Sequence, residues 1–188
     1  NPRQGVTLIV HEQAGVCALL PGNQSTTSLG LAVDLGTTTI AGYLCDLQNG
    51  ALLASKAMFN PQRKYGDDVI SRISSAVIDE DALATMQQAV VSALHELAES
   101  CLAESGLSLD ALDELVVVGN TTMQTIFAGD SPESLGRAPY LPRIFSAQNR
   151  LARSLGLAFA AHTNIHIFPV ISGFLGGDSV AAALGGEL

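Results

Sequence analysis

Within a few residues, Gly30-Leu-Ala-Val-Asp-Leu-Gly-Thr-Thr-Thr39 passes from an apolar run to one carboxylate, then a glycine, then three hydroxyls. A buried strand has no structural use for an unpaired Asp, whose burial either costs on the order of several kcal/mol or shifts its pKa. A site for a metal ion and a phosphate uses every one of these residues. Asp34 is a candidate Mg²⁺ ligand, directly or through water. Gly36 lets backbone N–H groups approach phosphate oxygens without a Cβ in the way. Thr37, Thr38 and Thr39 supply hydroxyl donors. The plainer alternative is a strand followed by an ordinary polar turn.

Three other constellations carry weaker signals. Gly176-Gly177-Asp178 opens a helical segment, where Asp178 serves either as an N-cap or as a catalytic carboxylate that polarises a water or helps to hold Mg²⁺. The glycines before it permit close backbone approach to a ligand. Gly119-Asn120-Thr121-Thr122 follows an apolar run, and is either a strand-to-helix cap or a second ligand-binding turn. Asn60-Pro61-Gln62 with Tyr65-Gly66-Asp67-Asp68 reads as a polar loop and a cap, and Arg72 with Asp68 as a solvated pair on a helix. His162 and His166 have only loose metal-ligand spacing, and no G-x-S-x-G nucleophile elbow exists.

The elements that must position these residues follow from the hydrophobic pattern. Alternation on both sides of the Asp34 turn predicts strands over about 29–46, and Asn49-Gly50 marks a second turn before a strand at 51–58. The Asp34–Thr39 segment is therefore a β-hairpin turn and differs from a strand-to-helix phosphate loop. Short strands are expected at 6–10 and 16–20, with a polar linker over 21–28. Asp67 is the expected cap of a helix carrying Val69, Ile70, Ile73 and Val77. Leu83, Met86, Val90, Leu94, Leu97 and Cys101 form one stripe of a long helix over about 80–104, ended by Gly106. A buried strand is expected at 115–118, a helix from Asn120 or Thr121, a short helix at 146–155, a strand at 165–171 and a closing helix at 179–184. Antiparallel strands first and parallel crossovers later imply an α/β fold, a mixed sheet flanked by helices.

Composition narrows the function. The chain has 188 residues, 47% apolar and 14% charged, as a core-forming protein does. Nine scattered Lys and Arg against a net charge of −9 argue against nucleic-acid binding. No run is long and apolar enough for a membrane span, and no signal peptide opens the chain. Cys17, Cys45 and Cys101 lie far apart with no C-x-x-C pair, as expected for reduced thiols in a cytoplasmic protein. The chain opens Asn-Pro-Arg-Gln and closes Gly-Gly-Glu-Leu, which reads as a piece of a larger polypeptide.

The Asp34–Thr39 hairpin turn resembles the first phosphate motif of the ASKHA superfamily of acetate and sugar kinases, heat-shock chaperones and actin. Within that superfamily the chain is similar to the reductive activators of corrinoid enzymes from about Leu29 to Leu184. The resemblance rests on the turn itself, Asn60-Pro-Gln62, Tyr65-Gly-Asp-Asp-Val-Ile-Ser-Arg-Ile73, Val118-Gly-Asn-Thr-Thr-Met123, Ala138-Pro-Tyr140 and Gly173-Phe-Leu-Gly-Gly-Asp178. It implies an RNase H-like mixed sheet flanked by helices, the first half of a two-lobed ATPase that closes on ATP and Mg²⁺. Residues 1–28 would end a preceding middle or linker domain, and 29–188 would form the first RNase H-like subdomain of the ATPase domain.

Carried over, Asp34, Gly36, Thr37 and Thr38 form the phosphate turn, with Thr39, Gly119, Asn120, Gly176 and Gly177 as further cofactor-binding residues. Asp34 and Asp178 would be the catalytic carboxylates. The family spends ATP to return the Co(II) corrinoid of a methyltransferase or corrinoid protein to Co(I). Its electrons come from a [2Fe–2S] ferredoxin domain, which would lie outside this chain. The second phosphate turn and the adenosine motif would follow residue 188, so this piece alone should bind ATP weakly. Two other readings stay open: a sugar-kinase-type phosphotransferase, and a non-catalytic module that docks a partner or forms a homodimer through its sheet face or long helix.

Overall fold

Period-two burial sets the frame of the structure, a computed structural model that describes residues 5–12, 15–23 and 28–186. A two-stranded antiparallel ribbon, β1 (Val6–His11) and β2 (Gly15–Pro21), precedes a six-stranded sheet. In β3 (Leu29–Leu35), Leu29, Leu31, Val33 and Leu35 are buried, while Ala32 and Asp34 face the other way and reach solvent. β4 (Thr39–Asp46) pairs antiparallel with β3, Leu35 opposite Ile40, which makes the Asp34 segment a hairpin turn. β5 (Leu52–Phe59) pairs antiparallel with β4 after a turn at Gly50, whose φ of 75° suits glycine.

The chain then crosses one face as helices. α1 (Val69–Ile78) leads into α2 (Glu80–Glu104), whose Met86, Val90, Leu94, Leu97 and Cys101 are buried against Leu31, Val33, Leu35, Ile40 and Leu44. β6 (Leu112–Gly119) returns parallel to β3 and leads into α3 (Thr121–Phe127). β7 (Gln148–Leu151) is an antiparallel edge strand on β8 (Asn164–Ile167), itself parallel to β6, and α4 (Gly177–Gly185) packs on β6. The strand order is β5-β4-β3-β6-β8-β7. This is the expected α/β architecture, a mixed sheet flanked by helices.

Several local expectations are corrected. Asp68, not Asp67, caps α1, accepting from the Ser71 N–H at 2.7 Å. The buried face of α1 is Arg72, Ile73 and Ala76, whereas Ile70 and Val77 are exposed. Residues 148–151 form a strand, and only 152–155 turn helically. β8 stops at Ile167, ahead of Pro169, which has no N–H to extend a ladder. α4 begins at Gly177 with Gly176 as its cap, so Asp178 lies inside the first turn and is not the N-cap. His162 and His166 do not converge: His162 bonds Asp113, and His166 bonds Asn149. Among the described residues, no helix is long and apolar enough to cross a membrane.

Candidate functional site

The β3–β4 turn is tied down from behind by residues far away in sequence. The side-chain amide of Asn60, fully buried, donates to the Gly36 carbonyl at 2.8 Å. The backbone N–H of Asn60 donates to the Thr38 carbonyl at 2.8 Å. Arg72, also fully buried, donates through Nη2 to the Thr37 carbonyl at 2.6 Å. Three consecutive carbonyls of the turn therefore point inward. Because each peptide is planar and trans, the N–H on the far side of each plane points away from Asn60 and Arg72. Those N–H groups belong to Thr37, Thr38 and Thr39. Successive outward N–H groups make a concavity suited to an anion.

Gly36 is required at this turn, since a Cβ there would lie 2.5 Å from the Thr39 carbonyl oxygen. Thr38 and Thr39 are exposed, and Thr37 is half-buried with its Oγ1 accepting from the Asn120 side chain at 3.0 Å. Asn120 is the N-cap of α3, its carboxamide oxygen accepting from the Met123 N–H at 3.0 Å. One side chain thus caps a helix and braces the turn, so the cap reading and the ligand-site reading of this residue coexist.

Close backbone packing brings the start of α4, which carries Asp178, against the junction of β6 and α3. A Cβ on Gly176 would fall 2.3 Å from the Gly119 carbonyl oxygen and 2.5 Å from the Asn120 Cα. Gln124, nearly fully buried, fixes the approach by donating to the Phe168 carbonyl at 2.8 Å and accepting from the Gly177 N–H at 2.8 Å. Thr121 adds a bond of 2.6 Å to the Ser172 carbonyl. Gly177 is buried with its N–H committed to Gln124, so it shapes the start of α4, which carries Asp178.

The two candidate carboxylates meet electrostatically. Partial desolvation at the end of β3 raises the pKa of Asp34, and the negative charge of Asp178 raises it further. Neither carboxylate forms an ion pair among the described residues. Asp178 accepts only locally, from the N–H of Ser179 at 2.7 Å and its hydroxyl at 3.3 Å. Two oxygen ligands without a cation, beside threonine hydroxyls, suit a hard divalent ion such as Mg²⁺. No group of three or more His, Cys, Asp or Glu converges among the described residues, so such an ion would complete its shell with water and phosphate oxygens.

Sequence reasoning brought forward Asp34, the threonines, Asn120 and Asp178, and the structure brings these together. On sequence alone, Asn60 reads as part of a polar loop and Arg72 as a solvated partner of Asp68, and Gln124 is not singled out. Arg72 had a readable signal: Val69, Arg72, Ile73 and Ala76 share one helical stripe, which puts the arginine on the inward face.

Known proteins resemble this chain in sequence and in fold. A corrinoid activation enzyme, RamQ, from Eubacterium limosum is 31% identical over 167 residues, covering 88% of this chain and 28% of the relative. The solved structure of a reductive activator for a corrinoid, iron-sulfur protein superposes with a TM-score of 0.88 at 31% identity, over 92% of this chain and 28% of that one. The chain thus spans little more than a quarter of the length of the relatives it matches. A family model described as the RACo middle region matches residues 29–188, beginning at the first residue of β3. The chain belongs to that family, the RACo middle region of corrinoid reductive activators.

Proposed function

We propose that this chain supplies one wall of the ATP site in a corrinoid reductive activator. On this reading the protein uses ATP to drive return of a partner's Co(II) corrinoid to Co(I), with electrons from a [2Fe–2S] domain elsewhere in the polypeptide. The observation that carries it is a turn whose Gly36, Thr37 and Thr38 carbonyls are tied inward, next to Asp34, a carboxylate that feels the charge of Asp178. Bound MgATP would bring the phosphates and the cation that this acidic, N–H-lined wall lacks. The N–H groups of Thr37, Thr38 and Thr39 would receive phosphate oxygens. Asp34 would orient the hydrated Mg²⁺, and Asp178 would hold a water in position near the reacting phosphate. The partner would be a corrinoid protein or corrinoid-dependent methyltransferase, in the cytoplasm.

The test is reduction of a candidate corrinoid protein by the full-length protein, with and without ATP, followed at the visible absorption bands of the corrinoid. Co(I) should accumulate only with ATP, and Asp34→Asn should lower the rate by on the order of 10–100-fold, as loss of groups that fix a metal ion does. ATP-independent reduction, or an unaffected Asp34→Asn variant, overturns the reading.

A further inference from the structure

Among the described residues, the guanidinium of Arg72 forms no ion pair. It is 0% exposed, yet its donors go to neutral acceptors: Nη2 to the Thr37 carbonyl at 2.6 Å, Nε to the Gly66 carbonyl at 2.9 Å, and Nη1 towards Gln62 Oε1 at 3.4 Å and Met123 Sδ at 3.0 Å. No carboxylate of the described residues lies within ion-pair distance of it. Asp67 and Asp68 act on it through space but neither is bonded to it. Asp68 caps α1 through the Ser71 N–H, and Asp67, largely exposed, sits 3.7 Å from Arg63. A buried charge left unpaired is strongly disfavoured, so a fold that keeps one has a use for it.

The use is indicated by what lies on the other side of the Thr37 carbonyl. That carbonyl and the Thr38 N–H belong to one peptide plane, and they point in opposite directions. A cation bonded to the carbonyl polarises the whole peptide and strengthens its N–H as a donor. The same positive charge sits behind the turn and acts on any anion in front. We propose that Arg72 is a positioning residue of the phosphate turn, fixing the Thr37 carbonyl and lending its buried charge to the phosphate bound on the outer side. This deepens the ATP-site reading and rests on it.

The experiment measures ATP, ADP, AMP and adenosine binding to the full-length protein by calorimetry, in the presence of Mg²⁺, with unfolding temperature recorded for each variant. Arg72→Met removes the charge at similar volume, and should weaken ATP binding by about tenfold, the scale of a lost charged hydrogen bond. The loss should shrink from ATP to ADP to AMP and vanish for adenosine. Arg72→Lys keeps the charge without the planar fork, and should recover part of the loss. Gln62→Glu leaves Arg72 in place but sets a carboxylate against it, and should weaken ATP binding by about threefold.

Equal losses for ATP and adenosine in Arg72→Met, or none, overturn the inference while leaving the ATP site standing. Should Arg72→Met fail to fold, Gln62→Glu decides: weakened ATP binding supports the inference and unchanged binding overturns it. A wild-type protein that binds no adenine nucleotide overturns the ATP-site reading itself.

Discussion

Both ends of the parallel strands carry polar clusters, and they differ in how their charges are answered. At the amino end, Asp113 accepts from the Ser28 hydroxyl at 3.0 Å and the Leu29 N–H at 3.1 Å, and meets His162 Nε2 at 3.1 Å. Glu114 accepts from Asn164 at 2.7 Å, while Asn149 meets both Asn164 and His166. At the carboxyl end, Asp34 feels the negative charge of Asp178 and neither has an ion-pair partner among the described residues, while the Gly36, Thr37 and Thr38 carbonyls are tied inward. A cavity of about 530 Å³ lies at the amino end between the β1–β2 ribbon and Asp113, Glu114, His162 and Asn164. A cluster whose donors and acceptors are matched internally holds the fold together, and one left unmatched awaits a ligand.

The contrast is broken most severely at Gly176. In Gly176→Ala the added methyl meets only backbone, 2.3 Å from the Gly119 oxygen and 2.6 Å from the Thr121 nitrogen. Neither group is the free end of a flexible side chain, so α4 must move. We expect a loss of about 3 kcal/mol, the upper end of the over-packing range, measured as a lower urea midpoint. The displaced Asp178 should also release Asp34, whose pKa should fall towards the ordinary value. An unchanged Asp34 titration by NMR would show that α4 does not hold the two carboxylates together.

A smaller effect, at the opposite end, sharpens the comparison. Asp113→Ala strands the Leu29 N–H and the Ser28 hydroxyl and removes the partner of the buried His162. Since the Asp113 side chain is 25% exposed, water replaces part of what is lost. The expected cost is about 1–2 kcal/mol, with nucleotide affinity unchanged. Weakened nucleotide binding without further loss of stability would mean that the amino end is no mere brace.

What the sequence revealed follows the same division between local and distant partners. The hairpin turn, the Asn49-Gly50 turn and α2 were legible because alternation, turn chemistry and a long helical stripe are written in neighbouring residues. β7 was not, because Gln148-Asn-Arg-Leu151 has no apolar alternation and becomes a strand only by pairing with β8. Arg72 was read as a solvated partner of Asp68 because the two sit at helical spacing. Its burial comes from the Asn60–Gly66 loop and the Thr37 turn closing around it, contacts that span up to 35 positions. Asp178 was assigned to the site, but the backbone contact that delivers it, Gly176 on Gly119, belongs to two strands' worth of intervening chain.

The smallest effect separates the two ends by pH. Asp34 and Glu114 both have raised pKa values, Asp34 from 3.8 by desolvation and then Asp178, Glu114 from 4.5 chiefly by desolvation. A carboxylate whose folded pKa exceeds its unfolded one binds its proton more tightly when folded. It therefore subtracts stability as pH rises from the unfolded value through the folded one, and the loss is complete above that. Asp34→Asn and Glu114→Gln should each flatten part of this decline, by a few tenths of a kcal/mol for the solvent-screened Asp34. MgATP distinguishes them. A cation at Asp34 favours its ionised form, so the ligand should abolish the Asp34 part of the decline and leave the Glu114 part intact. Unfolding curves at a series of pH values, with and without MgATP, measure both. If the ligand flattens the Glu114 part instead, the polar cluster at the amino end, and not the hairpin turn, answers to the nucleotide.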